Sequence, residues 1–380
     1  MGSSCKGPSA PGARRFPAAP DHSTGPPRHR CEARGRARLA APSSARPGRF
    51  DICPVAPQAC AASRGAAAPI TVPRGETPIP ADPSAHRAGN GEWPRQVSFT
   101  GSAGNRLAAE AWGDRTAPAV LLAHGGGQTR HAWSDTARLL AAAGLRAIAL
   151  DHRGHGDSEW VADGDYSFHA IAADIAAVLQ ALGRPAVLVG ASLGGIGSML
   201  VAGEMAPQRV RAVVLVDVGV KMNRAGVARI LEFMSAHPDG FADLQEAADA
   251  VAAYLPHRQR PRDPGGLAKN LREGADGRLR WHWDPRMLDH ASESGHVAEF
   301  ADVERAAANI AVPVLLVRGG LSEVMDEESV RRTLAVLPRA EYVNVAEADH
   351  MVAGDRNDAF TEAVLDYIAR LPATTAGARD

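Results

Sequence analysis

Short apolar runs recur along the chain from residue 119 onward and alternate with stretches of helical length. The runs are only four or five residues long, as expected of strands that are buried on both faces. They lie at residues 119–123, 147–150, 186–189, 212–216, 314–317 and 342–345. The predicted helices lie at residues 133–143, 170–182, 195–204, 327–336 and 359–370. This alternation predicts an α/β fold with a mostly parallel central sheet that helices cover on both faces.

Two segments depart from the alternation. Residues 97–99 and 107–112 have the pattern of a polar-edged hairpin ahead of the first buried run. Residues 220–309 have the pattern of helices and loops, without a buried strand. An insertion at this position emerges at the carboxyl edge of the sheet, where ligand crevices form. We therefore predict a helical cap at 221–309, between two core segments at 91–220 and 310–372.

The first 90 residues have a different composition. They contain thirteen Lys/Arg against five Asp/Glu and 15 of the 27 prolines, and they show no apolar periodicity. Such a segment cannot bury enough surface to offset its ordering entropy. We expect residues 1–90, and the short end at 373–380, to be disordered. A start codon placed too far upstream in a GC-rich gene is the favoured origin of this tail; an organelle transit peptide and a basic arm for nucleic acid stay open.

The composition argues against several kinds of protein. All four cysteines lie in the first 90 residues, so neither a disulfide framework nor a cysteine zinc site is expected in the body. No apolar run reaches the roughly 18 residues of a membrane helix, and no secretory signal is evident. The net charge of −1 indicates neither a nucleic-acid nor a membrane partner. We expect a cytoplasmic protein that acts on a small molecule without a cofactor or metal.

A candidate nucleophile, Ser192, lies at the centre of the sequence Gly-Ala-Ser-Leu-Gly at residues 190–194. The pattern G-x-S-x-G is common, but here it directly follows a predicted strand and opens a predicted helix. A sharp strand-to-helix turn of this kind raises the serine above the sheet, and its flanking glycines allow the close backbone approach. The context therefore predicts a nucleophilic serine, although a plain turn of small residues has the same composition.

A second glycine-rich turn, His-Gly-Gly-Gly at residues 124–127, follows the predicted strand at 119–123. Its glycines allow backbone N–H groups to face a reacting carbonyl oxygen. We predict an oxyanion hole formed by the N–H groups of Gly126 and Leu193. The alternative is a glycine turn without a catalytic role.

Four segments together resemble the α/β-hydrolase fold family over residues 95–371. They are residues 124–133, 151–158, 190–195 and 349–350, in the family's order. The resemblance is to the branch that contains esterases, lactonases, perhydrolases, haloalkane dehalogenases and epoxide hydrolases. The last two groups carry Asp at the nucleophile position, whereas this chain has Ser192, which points to ester or related acyl chemistry. The segment at 151–158 is interpreted as structural, because in the family it shapes the turn below the active site.

The family order of nucleophile, acid and histidine indicates the other two members of a triad. His350 follows the last predicted strand and is the candidate base. The candidate acid is Glu323, in the loop after the strand at 314–317. The alternatives are Asp217, which directly follows the strand at 212–216, and Asp326.

The resemblance implies a serine hydrolase that cleaves a small carboxylic ester or lactone through an acyl-enzyme. A C–C bond hydrolase and a perhydrolase would use the same triad, and a non-catalytic small-molecule receptor is a further alternative on this fold. Trp281 and Trp283 in the predicted cap are candidates for an apolar substrate pocket. A pair of core aromatic residues would give the same pattern.

Overall fold

The computed structural model describes residues 93–256, 263–291, 293–346 and 358–372. These residues belong to the second of two units into which the chain divides, Ala66–Asp380. The predicted disordered segments at 1–90 and 373–380 and the predicted base His350 lie outside the described residues.

The strands are short and lie close to the predicted apolar runs. In chain order they are β1 (Arg95–Thr100), β2 (Arg106–Trp112), β3 (Ala119–Ala123), β4 (Arg146–Leu150), β5 (Ala186–Ala191), β6 (Val210–Val216), β7 (Leu271–Glu273), β8 (Leu279–Trp281), β9 (Val314–Gly319) and β10 (Glu341–Val345). Within the described part of the chain, eight of them form one sheet in the order β1-β2-β4-β3-β5-β6-β9-β10. The pairs β1–β2 and β2–β4 are antiparallel, and the other pairs of this sheet are parallel.

The helices begin and end at local signals in the sequence. They are α1 (Ser134–Ala142), α2 (Phe168–Leu182), α3 (Leu193–Leu200), α4 (Arg224–Ser235), α5 (Leu244–Tyr254), α6 (Glu293–Ala308), α7 (Glu327–Val336) and α8 (Asp358–Arg370). In α2, for example, the N-cap Ser167 side chain accepts a hydrogen bond from the Ala170 N–H, which satisfies one of the free donors of the first turn. The same helix ends at Gly183, whose φ of 69° suits a residue without a Cβ.

Each face of the sheet carries its own apolar layer. Along β3, Leu121 faces one layer while its neighbours Val120 and Leu122 face the other, as the two-residue period of a strand requires. Helices α2, α3 and α6 contribute to the first layer, and α1 and α8 to the second. Each fully buried Leu or Val contributes about 1.5–3 kcal/mol to stability. The prediction of a mostly parallel sheet that helices cover on both faces is confirmed.

The segment at 221–309, predicted as a helical cap, contains α4, α5, α6 and a hairpin of β7 and β8. The hairpin has strands of three residues whose side chains are half-buried or exposed, so no continuous apolar run marks it in the sequence. The end of the segment packs in the core, because Val303, Ala306 and Ala307 of α6 are fully buried in the first apolar layer. No helix in the described ranges is both long and apolar enough to cross a membrane.

Candidate active site

Ser192 lies in a strained turn between β5 and α3. Its φ of 45° and ψ of −114° fall outside the regions that L residues ordinarily adopt. A Cβ on Gly190 would lie 2.4 Å from the Gly194 carbonyl oxygen, and a Cβ on Gly194 would lie 2.3 Å from that of Ala123. Larger residues at either glycine would therefore prevent this turn. Strain of this kind is found at functional positions, and here it presents the serine at the N-terminus of α3.

The glycine loop after β3 lies against Ser192. A Cβ on Gly125 would be 3.3 Å from the Ser192 Cβ, and the Gly125 N–H donates to the Gln128 side-chain oxygen at 2.9 Å. The N–H groups of Gly126 and Leu193, by contrast, donate to no acceptor within the described part of the chain. These two free donors belong to the residues predicted to form an oxyanion hole.

Three histidines lie buried at the base of the glycine loop: His124 is its first residue, and His152 and His155 follow β4. The Nε2 atom of His124 accepts from the His152 N–H at 3.1 Å, and its Nδ1 atom lies 2.8 Å from the Gly125 carbonyl oxygen. The Nε2 atom of His155 accepts from the Gly127 N–H at 3.1 Å. A ring nitrogen that accepts from an N–H cannot carry a proton, so His124 and His155 are held as neutral imidazoles.

Burial is the largest cause that lowers the pKa of each histidine in this cluster. It lowers the pKa of His155 to about 4 and that of His152 to about 3. The pKa of His124 lies well below its ordinary value for the same reason, with a further contribution from His152. These side chains are therefore uncharged at neutral pH, and they act as hydrogen-bonding supports of the glycine loop.

The segment at 151–158, interpreted from sequence as structural, anchors Arg130, which lies shortly after the glycine loop. Buried Asp151 forms an ion pair with Arg130 and also accepts from the Arg130 N–H at 2.6 Å. The same carboxylate accepts from the Asp157 N–H at 2.9 Å. Its bonds thus join the turn after β4 to the segment that leads into α1.

Two of the three candidate acids have structural partners at or near the surface. The side chain of Glu323 is 57% exposed and forms an ion pair with Arg229 of α4. Asp326 caps α7 by accepting from the Ser329 N–H at 2.8 Å, and it accepts from the Asn223 side chain at 2.9 Å. The Asn223 hydrogen bond is the main reason that the pKa of Asp326 is lowered to about 2.

The third candidate, Asp217, is fully buried beside the nucleophile turn. It follows β6 with a φ of 50°. Ala191 of β5 pairs with Val216 of β6, so Ser192 and Asp217 follow directly after paired residues. The Asp217 carboxylate accepts from the Ser322 hydroxyl at 2.5 Å and from the Gly319 N–H at 3.1 Å. Both bonds come from β9 and the loop after it, the loop in which the sequence pattern placed the acid.

An apolar cavity of about 490 Å³ opens beside Ser192. Trp281 and Trp283 both line it, with ring centroids 5.0 Å apart and an angle of 12° between the ring planes. Side chains of α4 and α5 complete much of the wall, among them Val227, Ile230, Phe233, Met234, Val251 and Tyr254. The tryptophans stack on each other, as the core-aromatic alternative predicts, and they also face the cavity. Among the described residues, no group of three or more His, Cys, Asp or Glu side chains could hold a metal ion.

The chain is similar in sequence to proteins of a known family. Residues 118–356 match the family described as the alpha/beta hydrolase fold. The chain belongs to the α/β-hydrolase fold family. The hydrolase is 31% identical over 270 residues to the esterase Rv0045c of Mycobacterium tuberculosis, a match that covers 68% of this chain and 85% of the relative. It is 29% identical over 260 residues to the 3-hydroxybutyrate-oligomer hydrolase of Cupriavidus necator, covering 65% of this chain and 87% of the relative.

Solved structures show the same architecture. A crystal structure of the Mycobacterium tuberculosis esterase Rv0045c matches with a TM-score of 0.59 and 30% identity, over 74% of this chain and 92% of that chain. The crystal structure of E-2-(acetamidomethylene)succinate hydrolase matches with a TM-score of 0.63 at 24% identity, over 72% of this chain and 100% of that chain. The second match, at this identity, supports the fold alone.

We expect the buried histidines to make the hydrolase sensitive to acid. In the unfolded chain a histidine has a pKa near 6.5, about 2.5 units above that of folded His155. The unfolded state therefore binds more protons below pH ~6.5, and stability that is full above this pH is lost as the pH falls towards 4. Each such histidine should add about 1.4 kcal/mol per pH unit to the slope of the free energy of unfolding against pH in this range. Urea denaturation at a series of pH values measures it.

The variant His152→Gln tests which residues cause the slope. It removes a fully buried imidazole and should lower the slope between pH 6 and 4 by about 1.4 kcal/mol per pH unit. The control Thr136→Val replaces a buried residue that does not titrate and should leave the slope as in wild type. An equal slope in all three proteins would mean that the buried cluster is not the source of the acid sensitivity.

Proposed function

We propose that the hydrolase cleaves small carboxylic esters or lactones through an acyl-enzyme on Ser192. One observation carries the proposal: the serine lies in a strained turn at the wall of an apolar cavity, beside two backbone N–H groups that donate to no acceptor among the described residues. A cavity with apolar walls and a few directed polar groups is typical of a site for a small molecule. Sequence similarity to the 31% identical esterase gives independent support for ester chemistry.

The proposed mechanism combines these groups with His350, the base that the sequence predicts. The Ser192 hydroxyl attacks the ester carbonyl carbon while His350 takes its proton, and the carbonyl oxygen becomes an oxyanion that the Gly126 and Leu193 N–H groups stabilise. The C–O bond breaks, and His350 gives the proton to the leaving alcohol oxygen. A water molecule then attacks the acyl-enzyme in the same way, which releases the acid and restores Ser192.

We further propose that Asp217 is the acid of the triad. A triad acid is buried and hydrogen-bonded, because it must orient the histidine and stabilise its charged form. Asp217 meets this requirement, and it lies one strand from the nucleophile. Glu323, the residue that the sequence pattern favoured, is half exposed and paired with Arg229. The bond from Ser322 to Asp217 supports the same assignment, since it ties the loop after β9 to this carboxylate.

The proposed reaction is tested with a panel of p-nitrophenyl esters, lactones and diketone substrates, together with a fluorophosphonate probe. We expect ester or lactone turnover and covalent labelling of Ser192, located by peptide mass spectrometry. Labelling with cleavage of diketones alone would assign C–C bond hydrolysis instead. Absence of both labelling and turnover would contradict the proposal and favour a non-catalytic receptor.

The paired tryptophans are expected to control which esters are cleaved. Trp283→Leu removes part of the cavity wall next to Gly127. A larger cavity should favour bulkier acyl groups, and we expect the ratio of kcat/KM for long-chain over short-chain esters to rise about tenfold. Labelling of Ser192 by a small fluorophosphonate should persist, because that reaction depends on the nucleophile and the proposed oxyanion hole, which the substitution leaves in place.

The control for this prediction is Trp160→Leu. Trp160 is 43% exposed and contacts the Arg272 guanidinium outside the cavity. This variant should keep the wild-type preference among esters. If Trp283→Leu unfolds the hydrolase, the tryptophans serve mainly to pack the core. An unchanged preference among esters would mean that bound substrate does not reach Trp283.

A further inference from the structure

Histidine side chains hold both polar backbone atoms of Gly127, the residue after Gly126 of the proposed oxyanion hole. The Gly127 N–H donates to Nε2 of His155 at 3.1 Å, and the Gly127 carbonyl oxygen lies 3.3 Å from Nε2 of His282. Gly127 has a φ of 73°, and a glycine restricts its own backbone very little. The conformation of this loop therefore depends on the bonds that other residues make to it.

The hydrogen bonds fix where each histidine carries its proton. The Nδ1 atom of His282 accepts from the Gly156 N–H at 2.7 Å, so its proton is on Nε2, which donates to the Gly127 carbonyl. The Nδ1 atom of His155 lies 3.0 Å from the Arg153 carbonyl oxygen and donates to it, which leaves Nε2 free to accept from Gly127. Both rings thus use both nitrogens in their neutral form.

His282 is the member of this pair that comes from residues 221–309, the cap segment, and it is 1% exposed. Two neighbours in the same segment, Met234 and Trp283, pack against the same glycine. A Cβ built on Gly127 would lie 3.1 Å from the Met234 methyl carbon and 3.5 Å from the Trp283 ring. The cap segment and the glycine loop therefore meet at Gly127.

We propose that His282 is a positioning residue for the reaction, acting through Gly127 to keep the Gly126 N–H directed at the oxyanion. The inference rests on the proposed function and adds to it a contribution of the cap segment to turnover. The oxyanion forms only in the transition state, so a misdirected donor raises the barrier without weakening substrate binding. Loss of the His282 bond should therefore lower kcat and leave KM unchanged.

Two variants of the same residue separate positioning from packing. The amide of glutamine reaches the place of Nε2, so His282→Gln retains a donor to the Gly127 carbonyl. The shorter amide of asparagine reaches the place of Nδ1, so His282→Asn retains the bond to Gly156 and loses the one to Gly127. We expect kcat per labelled Ser192 to fall about ten- to a hundredfold in His282→Asn and to recover largely in His282→Gln.

The control is His237→Asn, which replaces an exposed histidine of the cap segment whose ring contacts Phe241. It should keep wild-type kcat and KM. Counting active sites with the fluorophosphonate corrects for any loss of folded protein, which a purely structural role would produce. Equal kcat per site in His282→Asn and wild type, or equal losses in the Asn and Gln variants, would overturn the inference.

The bond from the Gly127 N–H to His155 provides a second test if His282→Asn does not fold. His155→Leu removes the acceptor of the Gly127 N–H, whereas His155→Gln retains an oxygen that can accept from it. We expect lower kcat in the first and partial recovery in the second. A folded His155→Leu variant with wild-type kcat would overturn the inference. A wild-type protein without turnover or labelling would overturn the proposed function as well, whereas an active wild type with an unaffected His282→Asn overturns this inference alone.

Discussion

Ser192→Ala is expected to lower kcat for ester hydrolysis at least about 10⁴-fold and to abolish fluorophosphonate labelling. The members of a catalytic triad act as a unit, so losing the nucleophile costs nearly as much as losing all three. The fold should be retained, because the Ser192 side chain does not cap α3 and its removal leaves no unpaired partner there. Circular dichroism and thermal melting verify the fold, and initial rates on the preferred ester measure the loss. His350→Ala should show a loss of similar size.

The matched control is Ser198→Ala in the same helix. Ser198 is buried, and its hydroxyl donates to the Gly194 carbonyl oxygen at 2.7 Å, facing the helix rather than the cavity. Its removal should change the melting temperature slightly and leave kcat intact. Near-wild-type turnover in a folded Ser192→Ala protein would exclude Ser192 as the nucleophile, and the proposed mechanism with it.

Asp217→Asn is expected to lower kcat about 10³- to 10⁴-fold, which is the size of loss when a triad acid becomes an amide. The neutral amide no longer stabilises the charged histidine and favours the wrong tautomer. Asparagine keeps an oxygen that can accept from the Gly319 N–H, so most of the native contacts should persist. Rates per labelled Ser192, together with urea denaturation, separate a catalytic loss from a loss of fold.

The two other carboxylates serve as controls for Asp217. Glu323→Gln removes one charge of an exposed ion pair, which is worth about 1 kcal/mol or less, and should leave kcat near wild type. Asp326→Asn keeps an oxygen that can cap α7 and weakens only the bond from the Asn223 side chain, so it should leave kcat near wild type. A severe loss of kcat in Glu323→Gln, with Asp217→Asn active, would return the acid to the position that the sequence pattern favoured.

The central elements and the nucleophile turn were open to prediction because their signals are local. Four or five consecutive apolar residues are enough to mark β3 or β9 as buried on both faces. In the same way, glycine is required at 190 and 194 because a side chain there would collide with backbone atoms of the turn itself or of the adjoining strand β3. The hairpin of β7 and β8 carries no such signal, because its strands lie half exposed above the cavity.

The choice among the carboxylates needed the tertiary structure. Glu323, Asp326 and Asp217 all follow strands at the same edge of the sheet, and along the chain each is an acidic residue after an apolar run. Burial, the bond from Ser322 and the ion pair with Arg229 distinguish them, and these depend on residues about 100 positions away. Sequence spacing cannot rank groups whose environments are set by such distant contacts.

The sequence by itself determined the α/β class, the strained serine turn and the glycine loop, since each follows from the backbone needs of a few neighbouring residues. The tertiary structure decided which carboxylate is buried beside the serine and how the glycine loop is held. His282 and Gly127 are 155 positions apart, and nothing in either local pattern predicts their contact. Only the packing of the cap segment on the core brings them together, because a glycine loop has no side chains with which to fix its own conformation.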